Sequence, residues 1–323
     1  MRCFTSQNAK QRYDLDIAAL NRYRTYTLPA EVTAAEAYIL TNSAELKNDP
    51  FKLYQSEHAR QQKLGLALDT KNTPLVSVII RSLDRHTLSD ALDSVALQTY
   101  ANIEVIVVNA KGHTHRTLDQ WCGRFPLRMT SNAEPLHRCN AANIGLQAAT
   151  GFYAIFLDDD DLFLPEHITQ LVTALQENKN FRGAYAGVRV DHYINNKLET
   201  SSVFNEPFDK RRLRGRNFIP IHAVLFERSL VADGCRFDDQ LDVFEDWDFW
   251  IQLSRLERFN HIGQITTIYH QGGDSAASTS RSQTLDEEGF FNKVIEKWMP
   301  KYTAVEWRQA VKALERQKDR LKK

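Results

Sequence analysis

The run Phe156-Leu157-Asp158-Asp159-Asp160-Asp161-Leu162-Phe163-Leu164-Pro165 sets four adjacent carboxylates at the end of an apolar stretch. Like charges at this spacing raise one another's pKa and oppose folding unless something positive neutralises them, and a hard divalent cation does so. The plain alternative is that the aspartates cap the helix opened by Pro165 or decorate a turn. An EF-hand loop is disfavoured, because the D-x-D-x-D-G spacing and the closing Glu are missing.

Three more clusters carry chemistry-bearing groups. Phe244-Glu245-Asp246-Trp247-Asp248-Phe249-Trp250 places acids among aromatics at the start of a helix. A carboxylate beside indole faces has a raised pKa and suits proton abstraction from a hydroxyl, although the helix macrodipole alone also favours acids there. In Ile268-Tyr269-His270-Gln271-Gly272-Gly273-Asp274-Ser275 a lone histidine follows an apolar strand, either as a metal ligand or as an ordinary hydrogen-bonded residue. In His137-Arg138-Cys139-Asn140-Ala141-Ala142-Asn143-Ile144-Gly145-Leu146, Arg138 suits a bidentate grip on phosphate, with a surface salt bridge as the alternative.

The elements that must position these groups follow from periodicity. Leu75 to Ile80 and Ile103 to Val108 read as buried parallel strands flanking a helix with Leu88, Leu92, Val95 and Ala96 on one face. A third strand, Phe152 to Leu157, runs into the aspartates, and a helix follows with Ile168, Leu171, Val172 and Leu175. This order predicts an α/β fold with a mostly parallel sheet flanked by helices. Shorter strands are expected around Ala184 to His192 and Ile221 to Phe226, with the acceptor side of the site near the basic stretch Lys210 to Arg216, itself readable as a solvated loop. The expected division is a helical extension over 1–72, a catalytic domain over 73–283 and a helical tail over 284–323.

Taken in order, these clusters resemble the family 2 glycosyltransferases of the GT-A fold, over roughly residues 74–280. The resemblance implies that Asp158 and Asp160 hold Mn²⁺ or Mg²⁺, that His270 completes the metal or diphosphate site, and that Asp161 steadies the loop. It implies that Asp246, paired with Glu245, is the catalytic base. It places Arg81, Ser82, Asp84, Asn109, Arg138, Asn143, Asp158 and Asp159 around a nucleotide-sugar donor, with a UDP-sugar favoured. Two departures stand out: Arg81 where the family often has proline, and Asn109-Ala110-Lys111-Gly112 where it usually has Asp-Asp-Gly-Ser. The implied reaction is an inverting single displacement onto a hydroxyl of a glycan, lipid-linked or protein acceptor, in synthesis of a cell-surface or secreted glycan. A non-catalytic sugar-nucleotide-binding or assembly subunit is the rival from another class. A nucleotidyltransferase is disfavoured because Ser82-Leu83-Asp84-Arg85-His86 has no glycine-rich phosphate loop.

Bulk properties narrow the classes further. Of 323 residues, 42% are hydrophobic and 25% charged, the range of ordinary globular proteins. Lysine plus arginine equals aspartate plus glutamate at 41 each, so no global field draws the chain to nucleic acid. The four cysteines show no C-x-x-C pair, which argues against a zinc site or a disulfide framework. No apolar run reaches the roughly 18 residues of a membrane span, and Met1 to Thr5 begins no secretory signal, so a cytoplasmic location is expected, at the inner face of the membrane if the product is an envelope glycan. Lys312, Arg316, Lys318, Arg320, Lys322 and Lys323 read as a solvated helix end or as a peripheral membrane contact.

Overall fold

The computed structural model describes residues 73–130, 133–194, 197–272 and 287–321. The expected extension over 1–72, the Gly/Ser/Thr-rich segment after Gly272 and the side chains of the last basic residues lie outside the described residues. Strand β1 (Val76–Ser82) leads through helix α1 (Leu88–Ala96) to β2 (Ile103–Asn109), and a short pair, β3 (Trp121–Cys122) and β4 (Phe125–Thr130), follows. Helix α2 (Arg138–Ala148) then returns the chain to β5 (Tyr153–Asp158).

β4, β2, β1 and β5 lie side by side and parallel. The chain moves outward from β1 to β2 and β4, then comes back to place β5 on the other side of β1. The topological switch point, where ligands bind open α/β sheets, is therefore between the carboxyl ends of β1 and β5. Because β1, β2 and β5 are buried on both faces, their side chains alternate between two cores. Val76, Val78 and Ile80 meet α1 and the later helix α3 (His167–Glu177), whereas Ile79 meets α2. α2 approaches closely because it offers Ala141, Ala142 and Gly145; a Cβ on Gly145 would stand 2.3 Å from Cγ2 of Ile79.

The second half of the sheet is mixed. The two-residue strand β6 (Leu162–Phe163) follows the aspartates; β7 (Gly183–Ile194) then turns back on β8 (Lys197–Phe204). After α4 (Lys210–Leu213), β9 (Val224–Glu227) runs antiparallel between β5 and β7, and α5 (Ser229–Ala232) follows it. α6 (Glu245–Leu256) covers this half, burying Trp247, Phe249, Trp250 and Leu253. β10 (Phe259–Gly272) pairs parallel with β7 and antiparallel with β6.

The C-terminal region is two helices, α7 (Glu287–Trp298) and α8 (Ala304–Leu321), rather than one, because Met299-Pro300-Lys301 forms a 3₁₀ turn between them. α7 sends Val294 and Trp298 into the core shared with α6. β8 and β4 were not expected. β8 is polar along most of its length, without a buried apolar run, and Pro126 in β4 is a residue usually kept out of strand interiors.

Candidate functional site

The floor of the site is the switch point itself. Arg81 and Asp158 are register partners at the ends of β1 and β5. Arg81 donates from Nε to Oδ1 of Asp158 at 2.8 Å and from Nη2 to Oδ2 at 2.9 Å. Its third nitrogen, Nη1, donates to Oε1 of Glu245 at 3.0 Å. The same Oε1 forms an ion pair with Arg138, whose Nε lies 2.9 Å away. Burial would raise the Asp158 carboxyl, but Arg81 and then Arg138 outweigh it and hold it below its ordinary value.

These contacts correct three expectations. Arg81, with a side chain only 6% exposed, is committed to two carboxylates rather than to a nucleotide. Asp158 gives both of its oxygens to Arg81, in the place the resemblance assigned to a cation. Glu245 is held between the guanidinium groups of Arg81 and Arg138 rather than standing free beside Asp246.

The other three aspartates have separate environments. Asp159 is fully buried and turns back to the β1 end, accepting from the Leu83 amide at 2.8 Å, from Ser82 Oγ at 3.2 Å and from Arg85. It braces that loop instead of facing a donor. Asp161 accepts the backbone N–H of His270 at 3.0 Å and lies 3.1 Å from Nδ1 of His222, so it ties β10 to the aspartate loop. Asp160 is different: among the described residues its carboxylate accepts no hydrogen bond, and the nearest cation is Arg85 at 3.9 Å. Burial first, then Asp161 and Asp158, push its pKa up to about 7.

His270 is buried and its Nδ1 lies 2.7 Å from the carbonyl oxygen of Asp160. Since a carbonyl only accepts, Nδ1 carries the proton, and Nε2 is the nitrogen a cation would use. No set of three His, Cys, Asp or Glu groups among the described residues forms a complete metal cage. One carboxylate and one imidazole still fit Mn²⁺ or Mg²⁺, because such cations take few protein ligands and complete their shell with substrate phosphates and water. The underpartnered Asp160 carboxylate is the observation that favours the fit.

Asp246 stands at the opposite side of the Arg81 bridge. It is half-buried in the first turn of α6, accepting from Asn217 Nδ2 at 3.0 Å and from the Trp247 amide at 2.7 Å. Burial, and then the neighbouring Glu245, push it up to about 7. Phe244, just before it, adopts a left-handed backbone (φ 63°) and packs on Trp247 and Phe291. The turn carrying Asp246 is thus fixed on both sides.

The turns after β1 and β2 gather basic groups around Asp84 and Ser82. Asp84, at φ 59°, receives Lys111 at 2.9 Å and Arg116, which together outweigh burial and hold its pKa down. Ser82 Oγ lies 2.8 Å from Nε2 of His115. Asn109 does not face outward; its Oδ1 accepts the amides of Lys111 and Gly112, and its Nδ2 donates to the Gly112 carbonyl. Asn143 is also placed otherwise than expected, clasping both backbone groups of Phe237 at 2.9 and 3.0 Å. It lines a groove of about 930 Å³ that contains none of the four aspartates.

Other residues at the site emerged only from the structure. Tyr269 is half-buried near Asp161, Asp160 and Asp158, and desolvation followed by those charges raises its phenol. The basic stretch before β9 is internally paired: Arg212 with Glu206, Arg211 with Asp209, and Arg214 with Glu306.

Residues 77–235 match the Glycosyl transferase family 2 model. An uncharacterized glycosyltransferase of Haemophilus influenzae is 28% identical over 228 residues, covering 64% of this chain and 69% of that protein. The uncharacterized protein y4gI of Sinorhizobium fredii is 23% identical over 227 residues, covering 68% of this chain and a quarter (25%) of that longer protein. The crystal structure of S. aureus TarS 1-349 in complex with UDP-GlcNAc superposes with a TM-score of 0.49 at 16% identity, covering 74% of this chain and 79% of that one. The matched family segment contains the parallel strands, the helix α2 and the aspartate run they lead to, and over residues 77–235 the chain is a family 2 glycosyltransferase, a sugar-transferring enzyme.

Proposed function

We propose that the chain transfers a sugar, with inversion, from a nucleotide-sugar donor to an acceptor hydroxyl in a divalent-metal-dependent reaction. The carrying observation is Asp246, a half-buried carboxylate held in place by Asn217 and the Trp247 amide, with a pKa near the working range of a general base. Asp246 accepts the hydroxyl proton as the acceptor oxygen bonds to the anomeric carbon. The bond from that carbon to the diphosphate breaks and its electron pair leaves with the diphosphate. Asp160 and His270 would hold Mn²⁺ or Mg²⁺, which when bound takes up negative charge on the departing diphosphate. Arg138, whose side chain is 39% exposed at the edge of the same cluster, would meet an anionic group of the donor.

A UDP-sugar is the donor favoured by family membership. The acceptor is proposed as a hydroxyl of a glycan, lipid-linked or protein substrate in the building of a cell-surface or secreted glycan, approached from the cytoplasmic side with at most a peripheral membrane contact. None of the described helices is long and apolar enough to cross a membrane. The test is a panel of nucleotide sugars with Mn²⁺, Mg²⁺ or EDTA, measuring nucleotide release by the full chain and by Asp160→Ala and Asp246→Asn. Metal-dependent release from one donor, lost in both variants, supports the reading. Release that is unaffected by EDTA, or retained by Asp246→Asn, overturns it.

A further inference from the structure

We propose that Arg81 is a positioning residue that fixes the diphosphate end of the site to the helix carrying the base. The proposal rests on Asp246 as base and goes beyond it by assigning what holds that base in register.

Four side chains alternate in sign across the cleft floor: Asp158, Arg81, Glu245 and Arg138. They sum to zero charge, and the inner two are nearly dry, with side chains 6% and 3% exposed. Arg81 spans the junction because a guanidinium has two usable edges. The Nε and Nη2 edge takes both oxygens of Asp158, and Nη1 remains for Glu245. A lysine ammonium, a single point charge on a flexible stem, cannot keep this two-sided geometry.

The two ends belong to different parts of the machinery. Asp158 ends β5 and is two residues from Asp160, whereas Glu245 opens α6 and is adjacent to Asp246. The pairing crosses 164 positions of sequence, so it sets a tertiary distance and not a local turn. Stability alone gives little reason for a buried ionic chain here, since well-packed apolar side chains serve stability as well or better. What the chain supplies is a fixed spacing between leaving group and base, and a shift of about 1 Å in such a spacing can cost on the order of 100-fold in rate.

The experiment uses the full chain with its best nucleotide sugar and Mn²⁺, comparing Arg81→Lys, Arg81→Met, Glu245→Gln, the Arg81→Met/Glu245→Gln double variant and Asp246→Asn. Donor affinity, kcat, donor KM, melting temperature and the ratio of sugar transfer to donor hydrolysis are measured. Arg81→Lys is expected to lower kcat about tenfold or more with donor KM changed less than about threefold, and to shift the ratio towards hydrolysis. The double variant is expected to lose about as much kcat as its worse single variant, because both substitutions open the same link. If Arg81→Met does not fold, Arg81→Lys and Glu245→Gln decide the matter. A rise in donor KM with kcat unchanged would mean that Arg81 grips the donor directly and would overturn the proposal, as would additive losses or wild-type turnover in Arg81→Lys. Turnover retained by Asp246→Asn would remove the base and the proposal together; an inactive Asp246→Asn beside a fully active Arg81→Lys would remove the proposal alone.

Discussion

The main chain of Asp160 sets the tautomer of His270: the carbonyl oxygen of the one lies 2.7 Å from Nδ1 of the other. Two proposed ligands of the same cation are therefore coupled through a backbone group, before any metal arrives.

That coupling predicts unequal losses. Asp160→Ala is expected to abolish metal-dependent nucleotide release. His270→Ala is expected to weaken Mn²⁺ activation by about 10- to 100-fold while leaving activity recoverable at high Mn²⁺. Titrating Mn²⁺ against initial rate for both variants checks this, and equal activation constants for His270→Ala and the wild type would remove His270 from the site.

Asp246 predicts the pH profile. A base must be ionised to work, so kcat/KM should rise with pH along a limb near 7. Glu245→Gln removes the adjacent negative charge and should move that limb to lower pH, and Asp246→Asn should lower kcat by about 10²- to 10⁴-fold and erase it. The folded pKa of Asp246 lies above the ordinary 3.8, so the folded state binds the proton more tightly and stability falls as pH rises from about 4 to 7. Asp246→Asn should therefore melt at a higher temperature than wild type at pH 8, with the difference vanishing near pH 4.

Asn143 predicts a purely structural phenotype. Asn143→Ala leaves the amide and carbonyl of Phe237 without their partners, which costs about 1–3 kcal/mol. Its melting temperature should drop while donor KM stays at the wild-type value, as thermal melts and steady-state kinetics on the same sample would establish.

His167 predicts acid sensitivity. It is fully buried, and burial, then His222, lower its pKa to about 3 from the ordinary 6.5. The unfolded chain takes up this proton first, so the stabilisation is complete above pH 6.5 and is lost as pH falls towards 3. Urea midpoints at pH 7 and pH 5 should differ less in His167→Gln than in wild type.

The parallel half of the sheet was legible because strands buried on both faces show continuous β-branched runs, as in Val76 to Ile80 and Ile103 to Val108. The aspartates were legible because crowded like charges have few explanations. Their individual partners were not: Asp158, Asp159, Asp160 and Asp161 look alike in sequence, and only the tertiary placement of Arg81, Arg85, His222 and His270 separates them. Asn143 and Asn109 drew attention as polar residues at suggestive positions, but an amide satisfies backbone groups as readily as it meets a ligand. Tyr269 gave no signal of its own, since its approach to the aspartates depends on how β10 lies against β6.

Arg81 lies within the segment that matches the family, at residues 77–235, and its partner Glu245 lies beyond it, as do Asp246 and His270. A chimera that exchanged only the matched segment with a relative would import a foreign floor beneath the native base helix. The residue arriving at position 81 would then face Glu245 without having been selected beside it, so transplants in this enzyme must carry positions 81 and 245 as a pair, whatever sugar the graft was meant to change.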